Sequence, residues 1–168
     1  MQKFSALLVV SVALVGAASA QTTTKIENPF RAEVGLYIPT YSGGDKNLGV
    51  QVGLGYSFLN FKGLDVAAVA RGSFWNDFGS DITVQNYGVD VRYRPSEGEK
   101  FFVGAGLNAA NIDVNVGNGL SGNTTHLGWS VEGGYDFTKS LYGVVRYNDG
   151  FGNIDGYKAV TVGVGYRF

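Results

Sequence analysis

The chain contains no cysteine, so no disulfide can hold it together, although small exported domains usually depend on such cross-links. It has only 3 prolines and 1 histidine. Beyond residue 20 no run approaches the ~20 apolar residues that a membrane-spanning helix needs, and no segment carries a convincing helical period. Charge of one sign is also missing: 13 Lys and Arg stand against 14 Asp and Glu. That balance argues against binding to nucleic acid and against a polybasic membrane-surface segment. What the chain does have is 26 glycines, 10 tyrosines and 11 phenylalanines in 168 residues, which is one domain's worth of sequence.

The first twenty residues differ from the rest. Lys3 supplies a short positive start, Ala6 to Gly16 an apolar stretch, and Ala18-Ser19-Ala20 a small-residue cleavage site. This is the pattern of a secretory signal peptide, and its apolar part is too short to span a bilayer. The expected division is therefore 1–20 as a signal removed after export through Sec, and 21–168 as a single domain beginning at Gln21. Losing Lys3 leaves 12 basic residues (13 less one) against 14 acidic ones, a net of −2. If the mature part lies in a membrane it must do so as a closed sheet, because lipid cannot satisfy open strand edges.

After Pro29 the hydrophobic pattern repeats every two residues in eight segments, at about 30–38, 48–58, 64–75, 82–94, 101–112, 126–137, 141–148 and 157–168. A period of two places alternate side chains on opposite faces of a strand. The connections 59–63, 95–100 and 138–140 are short. Those at 39–47, 76–81, 115–125 and 149–156 are generally longer and rich in Gly, Asn and Asp. An even number of strands with this alternation predicts an all-β, eight-stranded, antiparallel up-and-down transmembrane barrel with both termini on the periplasmic side. With the greasier parity taken as the outside, only Lys158 is charged there. Arg31, Arg71, Arg92, Arg94, Arg146 and Arg167 all fall on the other face, with Glu33, Asp65, Asp90, Glu132 and Asp136. A soluble ligand-binding barrel would show the opposite sense, apolar inside and charged outside. Phe30, Tyr56, Phe58, Tyr93, Phe101, Tyr135, Phe137, Tyr166 and Phe168 gather at the short-turn ends, as an interfacial aromatic girdle does; Phe74, Tyr87, Trp129 and Tyr147 are a thinner second one.

The last segment is Tyr-Lys-Ala-Val-Thr-Val-Gly-Val-Gly-Tyr-Arg-Phe, with Val160, Val162, Val164, Tyr166 and Phe168 on one face. It resembles the closing strand of bacterial outer-membrane barrels. That resemblance makes Tyr166 and Phe168 the signal read by the barrel-assembly machinery. Together with the leader and the eight segments it extends over essentially all of 21–168, to the small eight-stranded outer-membrane proteins of the OmpA/OmpX-like superfamily. It implies a protein in the outer membrane of a diderm bacterium, surrounded by outer-membrane lipid, with a structural, envelope-integrity or surface-interaction role. The periplasmic peptidoglycan-binding domain of some relatives is not expected here, so a partner is expected to be met through the loops, best through Asn115 to Thr125.

Inside so narrow a barrel, side chains can fill the lumen. Many inward positions are glycine or alanine, among them Gly53, Gly55, Ala67, Gly104, Gly106, Gly134 and Gly165, which leaves room for long arginines to cross. Six arginines and five acids sum to +1, and charges out of bulk water must pair. Counting across the 138–140 turn puts Glu132 opposite Arg146, so a salt bridge is expected there. The network is expected to plug the lumen; the alternative is a narrow passive channel for small solutes or ions, sensitive to Arg71 and Arg146.

Candidate chemistry is thin. His126 and Ser130 lie four apart on one strand, roughly 13 Å, too far for a base and its nucleophile. The pairs Gly53/Gly55, Gly104/Gly106 and Gly163/Gly165 lack the third glycine and following helix of a dinucleotide fingerprint. The stretch Asp149 to Gly156 faintly suggests a calcium loop, but Phe151 stands where an oxygen ligand belongs. The expectation is a protein that is not an enzyme and holds no cofactor or metal.

Overall fold

The structure, a computed structural model, describes residues 26–40, 47–77, 80–96, 98–115, 121–152 and 157–168. Its strands are β1 (Phe30–Pro39), β2 (Gly49–Phe61), β3 (Leu64–Asp77), β4 (Ser80–Tyr93), β5 (Phe101–Asn115), β6 (Ser121–Asp136), β7 (Leu141–Gly150) and β8 (Ala159–Arg167). Each pairs antiparallel with its neighbour in sequence, and β1 pairs with β8, so the sheet closes on itself. Closure runs to the final residue: the Phe30 N–H donates to the Phe168 carbonyl at 3.2 Å, and the Phe168 N–H donates to the Phe30 carbonyl at 3.0 Å. No strand edge is left along the seam, which is what a sheet in hydrocarbon requires.

The period-two pattern works in the inverted sense. Val34, Leu54, Leu107, Val145 and Val164 expose about half or more of their surface, whereas Arg92 and Arg146 expose 0% and 1%. The apolar side chains point away from the barrel axis and the guanidinium groups point toward it.

The strands run further than the sequence pattern suggests at several turns. The expected loop at 76–81 is paired as far as Asp77↔Ser80, and the expected loop at 115–125 is paired from Asn115↔Ser121 onward. Polar residues there continue the strand because backbone hydrogen bonds, not burial, hold the ribbon. β7 by contrast stops at Gly150, opposite Gly128, so the β5–β6 ribbon extends past its neighbour. The extension also adds outward charge: Asp81, Asp113 and Asp149 share the lipid-side parity beyond the apolar band, Asp149 within 3.5 Å of Lys158.

At the end carrying the termini, β2 continues to Phe61, and its register with β3 shifts between Ser57 and Leu59. This bulge turns Phe58 half inward and passes the outer position to Phe61, which is 57% exposed. The girdle is therefore carried by Phe61, not Phe58. Lys62 and Gly63 then close the hairpin with φ of 48° and 82°. Two consecutive positive φ values make the tight turn whose twist matches the strands. Around the same rim rings meet in series: Phe30 on Tyr56 at 5.0 Å, Phe30 on Phe168 at 5.9 Å, Phe101 on Tyr135 at 4.9 Å and Tyr135 on Phe137 at 5.7 Å. At the opposite end Trp129 and Tyr147 meet at 5.7 Å, with Phe74 and Tyr87 exposed.

Candidate functional site

Four strands aim arginines at the barrel axis. Arg31, Arg71, Arg92 and Arg146, from β1, β3, β4 and β7, meet Glu33, Asp65, Asp90 and Glu132. Four positive and four negative groups make this belt neutral. Glu33 is its hub: one oxygen lies 2.6 Å from Arg92 Nη2 and the other 2.7 Å from Arg146 Nη2, with Arg71 Nε at 3.7 Å and Arg31 Nε at 4.0 Å. The Tyr142 hydroxyl donates to the same carboxylate at 2.7 Å. Asp90 accepts from Arg31 at 2.9 Å and also from Arg71. Asp65 accepts from Arg31 at 3.4 Å. Glu132 stands opposite Arg146 in the register, 2.6 Å from its Nη2, and also receives Arg92.

Glycines make the crossing possible. A Cβ on Gly55 would stand 2.5 Å from Arg31 Nε, and one on Gly104 would stand 3.0 Å from Glu132 Cγ. These positions are small because a neighbouring strand's long side chain already occupies the volume.

Toward the termini Phe102 and Tyr142 form an edge-to-face pair at 5.8 Å. The Arg92 guanidinium lies 4.8 Å from one ring and 5.0 Å from the other. That stacking accounts for Arg92 Nη1, which makes no hydrogen bond among the described residues, since a guanidinium edge can be answered by a ring face. Below them Asp136 bridges Arg94 (3.0 Å) and Arg167 (2.7 Å) at the mouth.

Toward the other end the belt gives way to a neutral polar layer. Arg146 donates to Gln51 at 3.1 Å and Gln51 to Ser73 at 2.9 Å, with Asn86, Asn108, Ser130 and Asn148 buried nearby. Above it Tyr37, Trp75, Val84, Ala110, Ile112, Tyr157 and Ala159 form an apolar cluster, with Tyr37 stacked on Trp75 at 4.8 Å. Sequence reasoning did not single out Tyr37, Trp75, Phe102, Tyr142 or Tyr157. The signal was present, since each shares the parity of its strand's inward charges or glycines.

The remaining candidates do not assemble into a catalytic centre. The His126 ring meets Thr124 Oγ1 at 2.9 Å, while Ser130 is 2% exposed in the polar layer. Half of the possible calcium loop, 153–156, lies outside the described residues, as do 116–120 of the proposed contact loop. Tyr166 and Phe168 stack at 6.4 Å on the lipid side of the closing strand.

A closed eight-stranded sheet with an apolar exterior and an ionic interior defines a transmembrane β-barrel. The model of the outer membrane protein beta-barrel domain family matches residues 8–168, and the chain belongs to that family. It is an outer-membrane β-barrel. Among solved structures it is similar to Neisserial surface protein A, with TM-score 0.62 and 20% identity over 83% of this chain and 96% of that one. Ail, the attachment invasion locus protein of Yersinia pestis, gives TM-score 0.58 and 17% identity over 85% and 100%. The N-terminal barrel domain of Pseudomonas aeruginosa OprF gives 0.52 and 19% over 82% and 97%. These identities establish a shared fold. No curated protein matches the chain.

Proposed function

We propose that the protein is a non-conducting, non-enzymatic barrel of the outer membrane, serving envelope integrity or surface interaction through its loop end. It is exported by Sec with cleavage after Ala20, inserted by the barrel-assembly machinery through Tyr166 and Phe168, and oriented with both termini in the periplasm. The observation that carries the non-conducting reading is the Glu33-centred belt, whose four arginines each reach carboxylates on other strands. A permeating ion would have to displace pairs that have little water to replace them. The apolar cluster around Tyr37, Trp75 and Tyr157 supports the same reading from the far side.

Reconstituted into planar bilayers, the full mature chain is expected to pass no resolvable single-channel current. The double substitution Glu132→Ala with Arg146→Ala is expected to introduce one, because it removes a pair while keeping the belt neutral. Discrete openings in the unsubstituted protein would favour the passive-channel alternative.

The extended ribbon from Asn115 and Ser121 onward supports contact with a partner at that end, and the partner's charge can be anticipated. One structure of Ail was solved with the heparin analogue sucrose octasulfate. Here the outward groups at the loop end are Asp81, Asp113 and Asp149 with Lys158, a surplus of negative charge among the described residues. Titration of nanodisc-embedded protein with sucrose octasulfate is expected to give no saturable binding at physiological salt. Saturable binding would show that the acidic rim does not govern partner choice.

A further inference from the structure

The outer face of the barrel is not evenly covered. Most outward positions carry Val, Leu or an aromatic ring, but β3 presents Ala68, Ala70 and Gly72 in succession. On the neighbouring strand Tyr56 and Leu54 stand opposite Ala68 and Ala70, with Leu54 64% exposed. A groove of about 400 Å³ results, lined among others by Phe30, Leu54, Tyr56, Ala68, Ala70 and Phe168. Toward the loop end the Phe74 ring lies over Gly72, where a Cβ would stand 3.1 Å from its Cζ. A hollow in a face surrounded by hydrocarbon is filled by a lipid chain, since an empty one forfeits its dispersion contacts. Lipid tails are as apolar as leucine, so the chain alone selects no particular lipid; a headgroup contact does.

The turn between β2 and β3 places Lys62 at the foot of the same two strands. Its Nζ lies 5.2 Å from the centroid of the exposed Phe61 ring, on the lipid side of the rim. Among the described residues Lys62 forms no ion pair. Ala70 is eight residues further along the chain, ~26 Å along a strand and ~19 Å in depth at a tilt of ~45°. That is about half of a bilayer with its headgroups, ~20 Å. A lipid whose phosphate is at Lys62 therefore ends its chain where the groove ends. The loop end offers no such cation beside the barrel's surface hollows: the outward groups there are Asp81, Asp113 and Asp149 with Lys158 already beside Asp149, a set that repels phosphate.

We propose that the groove and Lys62 together bind one anionic phospholipid, of the phosphatidylglycerol type, from the leaflet at the terminus end. One acyl chain lies over Ala68 and Ala70 against Leu54 and Tyr56, and the phosphate meets Lys62 Nζ. Lys100 supplies the contrast. It sits over Tyr135 at 5.8 Å on the same rim, but above it β5 and β6 present Val103 and Val131, 60% and 47% exposed. A lipid at Lys100 gains the charge without a groove for its chain.

The test releases the full mature chain for native mass spectrometry from micelles holding equimolar phosphatidylglycerol and phosphatidylcholine, told apart by mass. One phosphatidylglycerol per chain is expected to stay bound, about fivefold over phosphatidylcholine, the factor that a single lysine contributes near anionic lipid. Lys62→Gln is expected to abolish that preference and Lys100→Gln to leave it. Ala68→Leu with Ala70→Leu fills the groove with side chains that a lipid-facing strand accepts, and is expected to remove the bound lipid; gel mobility of the unheated protein checks that this variant is folded. Equal retention of the two lipids by the unsubstituted chain, or equal effects of the two lysine substitutions, would reduce the contact to ordinary surrounding lipid and overturn the site. Retention unchanged in the filled variant would overturn the groove as the seat of the chain. Lipid retention does not depend on conductance, so this inference and the proposed function fail separately.

Discussion

Replacing Glu33 by glutamine is expected to remove about 3–5 kcal/mol of folding stability, the range for breaking a buried ion pair by deleting one partner. Glutamine keeps the volume and one acceptor oxygen, so the loss reports charge, not a cavity. Glu33 lies within 4.0 Å of nitrogens from Arg31, Arg71, Arg92 and Arg146. Without it the belt holds four guanidinium groups against three carboxylates, in a lumen that buries Arg92 and Arg146 almost completely. Urea unfolding in phospholipid vesicles, followed by tryptophan fluorescence, measures the change. Adding Arg71→Met to Glu33→Gln restores neutrality and is expected to recover part of the loss, a coupling that a double-mutant cycle isolates. Asp136→Asn, at the partly open mouth, is expected to cost much less because water screens what remains. A loss below about 1 kcal/mol for Glu33→Gln would mean that lumenal water solvates the belt as well as its carboxylates do.

Placing an arginine on the other face is expected to have a comparable cost for the opposite reason. Val164 lies midway between Val160 and Phe168 on the outward parity of β8, is 48% exposed, and pairs with Val34. Val164→Arg is expected to destabilise the barrel by about 2–4 kcal/mol, the midplane range for lipid-facing arginine. The same vesicle titration measures it. Val160→Arg, nearer the interface, is expected to cost about 0–1 kcal/mol, since the side chain can reach water there. The depth dependence is the diagnostic part. If the two substitutions cost the same, the outer face of β8 is not in hydrocarbon.

Together these substitutions test the property that makes the fold, an arginine welcome on one side of the sheet and excluded from the other a few ångströms away. That division was legible in the sequence because alternation is a local property: each strand's two faces can be read without knowing its neighbours. The pairing of Glu132 with Arg146 could be counted for the same reason, as a three-residue turn leaves little freedom in the register. The short connections at 95–100 and 138–140 were visible too. The bulge at Ser57/Leu59 was not, because Phe58 and Phe61 are equally suited to an interface, and only the pairing of β2 with β3 decides which of them faces out. The continuation of β5 and β6 through Asn, Asp and Thr was hidden as well, since polar strand and polar loop look alike when no face is buried.

Alternation along the chain was enough to assign the faces of the strands, that of β2 only as far as its bulge, and with them an apolar exterior and a charged interior, because a period of two needs nothing beyond the chain's own backbone. Which inward charge meets which was decided only by closure. Glu33 and Arg146 stand 113 residues apart and come to 2.7 Å because β1 joins β8 and the barrel is narrow. So too with the aromatic residues inside: parity says that Tyr37, Trp75 and Tyr157 point inward, but only strand tilt and register bring them to one level. Local alternation assigns a side chain to a face; the circumference of the closed sheet assigns it a partner.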